Sequence, residues 1–97
     1  MLTNKQKAQL KGLASKETTK YQIGKNEISD SLLDMLNKAL TARELIKIDV
    51  MKGYTEPIMA LALDLSSKLN ADIVQVVGRV IVLYKKNKEH PRIKLVK

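Results

Sequence analysis

The first apolar positions of the chain recur at helical spacing: Leu10, Leu13 and Ala14 fall on one face. Thr3, with Gln6 three residues later, is a capping box marking where that helix begins. The helix is expected to end near Ser15, where Lys16-Glu17-Thr18-Thr19 loses the pattern. Lys20-Tyr21-Gln22-Ile23 alternates polar with apolar and predicts a short strand stopping at Gly24. After the loop Gly24-Lys25-Asn26-Glu27, a second helix is expected over about 29–42, with Leu32, Leu33, Met35, Leu36, Ala39 and Leu40 as its apolar stripe. Asp30 and Asp34 suit its positive end, and Asp34 with Lys38 reads as a helix-surface pair.

Leu45 to Val50 alternates with period two and puts Ile46, Ile48 and Val50 on one face of a strand. Lys52-Gly53-Tyr54 breaks the alternation. Thr55 is expected to cap a third helix, with Pro57 tolerated in its first turn. Ile58, Leu61, Ala62, Leu65 and Leu69 line that helix, and Asn70 stops it. Ala71 to Tyr84 reads as two strands joined at Gly78-Arg79, a connection suited to a tight hairpin. Val80-Ile81-Val82-Leu83-Tyr84 is almost wholly apolar, as a strand covered on both faces would be. The order is therefore α-β-α-β-α-β-β. It predicts an α/β fold with a mixed four-stranded sheet packed with helices. Two strand–helix–strand units imply parallel neighbours, and the hairpin adds an antiparallel pair.

With 97 residues the chain is read as one domain, with 86–97 a basic C-terminal tail interrupted by Pro91. The net charge of +8 is unevenly placed: residues 1–25 and 85–97 each carry +5, while 26–84 carries −2. Such an excess attracts polyanions. The absence of cysteine removes disulfides and thiolate metal sites, and no segment looks like a signal peptide or membrane span, so a soluble cytoplasmic protein is expected. The only histidine, His90, lies beside Pro91 in the tail, so neither a zinc site nor a Ser/His/Asp group is credible, and no Walker-type phosphate loop is present. No enzyme activity, metal, cofactor or small-molecule substrate is expected. The methionines, among them Met35, Met51 and Met59, read as gap-filling core residues.

Several stretches, in order, resemble the CRM domain family (chloroplast RNA splicing and ribosome maturation), most closely its small single-domain bacterial members. They are Leu10-Lys11-Gly12-Leu13-Ala14, Ile23-Gly24-Lys25, Glu44-Leu45-Ile46-Lys47-Ile48, Val74-Gln75-Val76-Val77-Gly78 and Val82-Leu83-Tyr84-Lys85. The resemblance covers residues 3 to about 88. It implies a fold similar to the C-terminal domain of translation initiation factor 3. It also implies RNA binding without catalysis, with ribosomal RNA in precursors of the large ribosomal subunit as the partner. The family's Gly-x-x-Gly loop is incomplete here: Gly24-Lys25-Asn26-Glu27 has glutamate in place of the second glycine. A Cβ and a negative charge at that point lower what the loop is expected to contribute to phosphate binding.

The candidate RNA contacts are Lys5, Lys7, Lys11, Lys20, Gly24, Lys25 and Asn26, grouped around the loop, with Arg79 at the hairpin tip and Lys85 and Lys86 after the last strand. Lys88 could join them, whereas Lys94 and Lys97 are expected to be disordered or to make non-specific contacts. Lys47, alternating with Ile46 and Ile48, is expected to face solvent. With Tyr21, Tyr54 and Tyr84 the only aromatics, and Tyr84 expected in the core, recognition should rest on phosphate and shape more than base stacking. Two other classes remain open. One is a protein-interaction module, using a surface such as Met59 and Leu63 to meet a ribosomal protein or a second copy. The other, a membrane-surface protein, is disfavoured because the first helix is short and weakly apolar.

Overall fold

Among the described residues three helices and four strands form in the predicted order. They are α1 (Asn4–Lys16), β1 (Lys20–Ile23), α2 (Asp30–Arg43), β2 (Leu45–Val50), α3 (Ile58–Leu69), β3 (Asp72–Val77) and β4 (Val80–Tyr84). The computed structural model describes residues 2–17, 20–24, 28–87, 89 and 91–96, and of Lys20 the backbone alone. The helix ends follow local chemistry. Gln6 N donates to Thr3 Oγ1 at 3.1 Å and Thr3 N donates to Gln6 Oε1 at 3.0 Å, completing the capping box. Ser29 Oγ accepts from Leu32 N, and Asn70 ends α3 with a left-handed backbone (φ 53°). Thr55, expected to cap α3, does not: Pro57 is the N-cap and no side chain bonds there. The proline ring biases Glu56 toward extended backbone, so the helix cannot reach back to Thr55.

The sheet order is β1-β2-β4-β3. β1 pairs parallel with β2, as expected of a strand–helix–strand unit, but β3 is not the neighbour of β2. β4 lies between them and is antiparallel to both. The side chains explain the exchange. Ile81 and Leu83 join one core and Val82 and Tyr84 the other, so β4 loses most water contact in a central position. β3 carries Asp72, Gln75 and an exposed Val77, which an edge tolerates. A register shift between Ile73 and Gln75 inserts one residue, so that Val74 and Gln75 both serve the same face.

α2 and α3 cover one face of the sheet, enclosing Leu36, Leu40, Ile46, Ile48, Leu65, Ile81 and Leu83. α1 covers the other with Leu10 and Ala14, which meet Leu45, Val74, Val82 and Tyr84. The methionines depart from expectation. Met35, Met51 and Met59 are 42, 51 and 53 % exposed and do not fill core gaps. Met35 lies about 100° around α2 from Leu36, at the margin of the stripe. Leu13 of α1 is likewise 40 % exposed.

The segment expected to be a basic tail, with Lys94 disordered or making non-specific contacts, is docked over residues 91–96. Arg92-Ile93-Lys94-Leu95 alternates, with Ile93 and Leu95 against the α1-side core and Arg92 and Lys94 exposed. Gln6 Nε2 donates to Val96 O (2.9 Å), Gln9 Nε2 to Lys94 O (2.7 Å), and Val96 N to Gln9 Oε1 (2.9 Å). The anchor is Glu44, which caps α2 at φ 64° and is fully buried. Its Oε2 accepts from Asn87 N (2.7 Å), and its Oε1 accepts from Ile93 N (2.7 Å) and Arg92 N. Burial alone would raise its pKa. The three backbone N–H groups and nearby Lys86 outweigh that and hold it below the ordinary glutamate value. The carboxylate is therefore charged at neutral pH and bridges the end of α2 to the end of the chain.

Glu44→Gln places an amide NH₂ opposite a backbone N–H and is expected to lower stability by about 1–3 kcal/mol at neutral pH, measured by urea unfolding. Because the folded-state pKa is depressed, the charged form's contribution is complete above the unfolded value of about 4.3 and is lost as pH falls through the folded value. The stability gap between wild type and Glu44→Gln should therefore narrow on acidification below that point. A gap that stays constant down to the folded pKa would show that the carboxylate's charge has no part in it.

Candidate nucleic-acid interface

The register assigns each candidate residue to an end of the sheet. Ile23 pairs with Val50, and Val77 with Val80, so Gly24, the connection after β2 and the Gly78-Arg79 turn share one end. Leu45 pairs with Tyr84, which puts Lys85 and Lys86 at the opposite end, roughly 17 Å away along β2. α1 runs between the two. Gln6 lines a cleft with Tyr84 and Lys86, while Ala14 and Ser15 line a groove with Val77 and Val80. Lys5 and Lys7 thus sit at the Lys86 end, and Lys11 midway. Of the cations expected to surround the glycine loop, Lys5, Lys7 and Lys11 instead run from the Lys86 end to the middle of the domain.

At the loop end, Gly24 is exposed, and its backbone is not in the left-handed region. A Cβ built on it would have Met51 Sδ, at 3.9 Å, as its nearest described neighbour. Neither its backbone nor the described surroundings require glycine there. Lys25, Asn26 and Glu27 lie outside the described residues. Lys52 is exposed in the adjoining connection and was not singled out from sequence, because an isolated lysine in a loop carries no pattern.

Arg79 has a structural task at this end. Its Nε donates to Val50 O (3.0 Å), and one terminal nitrogen donates to Tyr54 O (2.8 Å) and to Met51 O. Val50 N in turn donates to Arg79 O at 2.8 Å. The guanidinium fork therefore ties the hairpin tip to the β2–α3 connection and satisfies carbonyls that no strand partner reaches. Gly78, at φ 57°, supplies the left-handed residue of the turn. The backbone of Lys20, in the edge strand β1, pairs with that of Lys47 midway along β2. Lys47, expected to face solvent, is half-buried, with its Nζ 3.4 Å from Glu17 O.

At the far end, Lys5 and Lys86 are exposed and Lys7 is half-buried. Lys85 is half-buried and donates to Asn37 Oδ1 of α2 at 3.2 Å, so part of its donor capacity is used within the fold. The docked segment adds Arg92 and Lys94, both exposed. Their signal in the sequence was the alternation from Arg92 to Leu95, masked by the reading of a basic run as a tail. Lys88, His90 and Lys97 lie outside the described residues. The Asp34–Lys38 pair forms at 3.1 Å, on the outer surface of α2. Among the described residues there is no group of three or more His, Asp or Glu that could hold a metal, and no helix is long and apolar enough to cross a membrane.

Residues 2–85 match a family model described as the CRS1 / YhbY (CRM) domain. "Probable RNA-binding protein YqeI" of Bacillus subtilis is 39 % identical over 95 residues, covering 98 % of this chain and 99 % of that protein. An "RNA-binding protein" of Haemophilus influenzae is 32 % identical over 88 residues, covering 91 % of this chain and 89 % of the relative. The solution structure of the hypothetical protein SAV1595 from Staphylococcus aureus superimposes with a TM-score of 0.82 at 38 % identity, over 99 % of this chain and 100 % of that one.

Arg79→Lys keeps the charge but not the fork. It is expected to lower stability by about 1–2 kcal/mol in urea unfolding, because at least one of three carbonyls loses its donor. Unchanged stability would mean that water replaces the guanidinium without cost.

Proposed function

The chain belongs to the CRS1 / YhbY (CRM) domain family, and on that premise we propose that it is a non-catalytic RNA-binding protein. In this reading it acts in the cytoplasm, where it associates with ribosomal RNA of large-subunit precursors and assists their assembly. The observation that carries RNA binding is the family match over residues 2–85. The names of the Bacillus and Haemophilus relatives accord with it. Gly24 supports it physically. A glycine that its described surroundings do not require, beside exposed Lys52, suits a point where a phosphate backbone comes close to the chain. The tyrosines support phosphate and shape recognition, since Tyr84 is buried and Tyr21 and Tyr54 are packed against the core.

A second reading has one observation in its favour. Met59 and Leu63, one turn apart on α3, are 53 and 58 % exposed and could meet a protein partner or a second copy. Binding through that face would be nearly independent of salt. Docking onto RNA through about six phosphate contacts predicts a salt slope of roughly −4 to −5.

Sedimentation of a cell extract through sucrose gradients at low and moderate salt tests the ribosomal assignment. The protein is expected to travel with large-subunit precursors at low salt and to leave them as salt rises. In the Lys20→Glu/Lys25→Glu double variant it should leave them at lower salt. A protein that stays at the top of the gradient at both salts would defeat the assignment.

A further inference from the structure

The family match ends at Lys85, yet among the described residues the chain beyond it is held against the domain by at least seven hydrogen bonds, three to Glu44, three with Gln6 and Gln9, and one from Asn87 Nδ2 to Thr41 O. Hydrophobic cover for Tyr84 and Val82 explains Ile93 and Leu95. It does not explain the two cations that alternate with them. Arg92 and Lys94 face solvent, and Gln6 places the start of α1, and with it Lys5, beside Val96. Lys86 lines the same cleft as Arg92 and Lys94. Among the described residues none of these four side chains forms an ion pair, although Glu44 lies near enough to feel Lys86.

We infer that the docked segment 91–96, with Lys5 and Lys86, is a second RNA-contacting surface that grips the backbone of a duplex at the end of the sheet remote from Gly24. This rests on the RNA-binding reading above and extends it to a surface built mostly from residues beyond the family match. Free lysines on a disordered tail would each lose conformational freedom on binding. Cations on a segment fixed by Glu44 are pre-organised, so more of each phosphate contact appears as affinity. Duplex is the fitting form because, among the described residues, this end offers no exposed aromatic ring on which unpaired bases could stack, Tyr84 being 97 % buried. Regularly spaced phosphates suit a rigid array of positive side chains.

The test is fluorescence anisotropy with a 20-base-pair RNA duplex, titrated with the full chain at several salt concentrations. Arg92→Gln/Lys94→Gln changes two exposed side chains and should leave the thermal unfolding midpoint close to wild type. It is expected to weaken binding at least tenfold at about 0.1 M salt and to reduce the magnitude of the salt slope by about 1.5. Glu44→Gln keeps all four cations but loosens the anchor, and should weaken binding in the same direction at a temperature where it remains folded. Wild-type affinity and slope in either variant would overturn the inference and leave the RNA-binding reading standing. If the wild-type chain itself did not bind the duplex, the inference and the broader reading of structured-RNA docking would fall together.

Discussion

A buried carboxylate with no cation in contact among the described residues is an expensive group, and the architecture depends on how Glu44 is accommodated. Desolvation penalises its charge, and a positive φ adds backbone strain to a residue with a Cβ. Three backbone N–H groups offset this, and they come from a part of the chain more than forty residues away. Its own main chain is engaged as well: Glu44 N donates to Leu40 O, and Glu44 O accepts from Lys85 N. One residue thus ends α2, orients the start of β2, fixes the exit from β4 and holds the last segment against the sheet. Only an ionised side chain with two acceptor oxygens can do all of this at once, and so glycine, which would relieve the strain, would not serve.

The second consequence concerns the smaller core. α1 presents only Leu10 and Ala14 as buried residues, too little to cover a four-stranded face by itself. Ile93, Leu95 and Leu2 extend the cover over Val82 and Tyr84. β4 can therefore be apolar on both faces and still sit at the centre. A central β4 in turn forces β3 to the edge and splits what would otherwise be a simple pair of strand–helix–strand units. The anchoring of the chain's end and the strand order are two aspects of one requirement, that neither face of β4 be left to water.

Elements were legible in the sequence because their causes are local. The capping box at Thr3, the alternation of Leu45 to Val50 and the left-handed stop at Asn70 each depend on residues within one or two turns. Strand adjacency was not legible, since choosing β4 over β3 as the partner of β2 compares burial at positions far apart in the chain. The wholly apolar run of β4 did announce a strand covered on both faces, which is the same fact seen locally. Thr55 failed as a cap because the restriction imposed by Pro57 outweighs a favourable side chain two residues earlier. The methionines failed because apolar character marks only the edge of a stripe, and an unbranched thioether tolerates the margin between core and water.

The candidate site divides in the same way. Residues grouped by sequence proximity, from Lys5 to Gly24, lie along the whole length of the fold, because α1 spans from one end of the sheet to the other. Arg79, singled out for its position at a turn tip, has three backbone carbonyls as partners, so its side chain is oriented by the fold before any ligand arrives. Arg92 and Lys94 were set aside because a basic run looks like a tail, and their alternation with Ile93 and Leu95 was the overlooked sign of a docked strand-like segment. Two positive ends separated by a rigid sheet have a property that a flexible basic chain lacks, a fixed spacing. In the proposed complex, where glutamate follows the loop's glycine and aromatic stacking is minor, discrimination among RNAs must come largely from whether phosphates are presented at that spacing. Stiffness between the ends is then part of recognition, and Glu44, which contacts no RNA in this scheme, helps to set it.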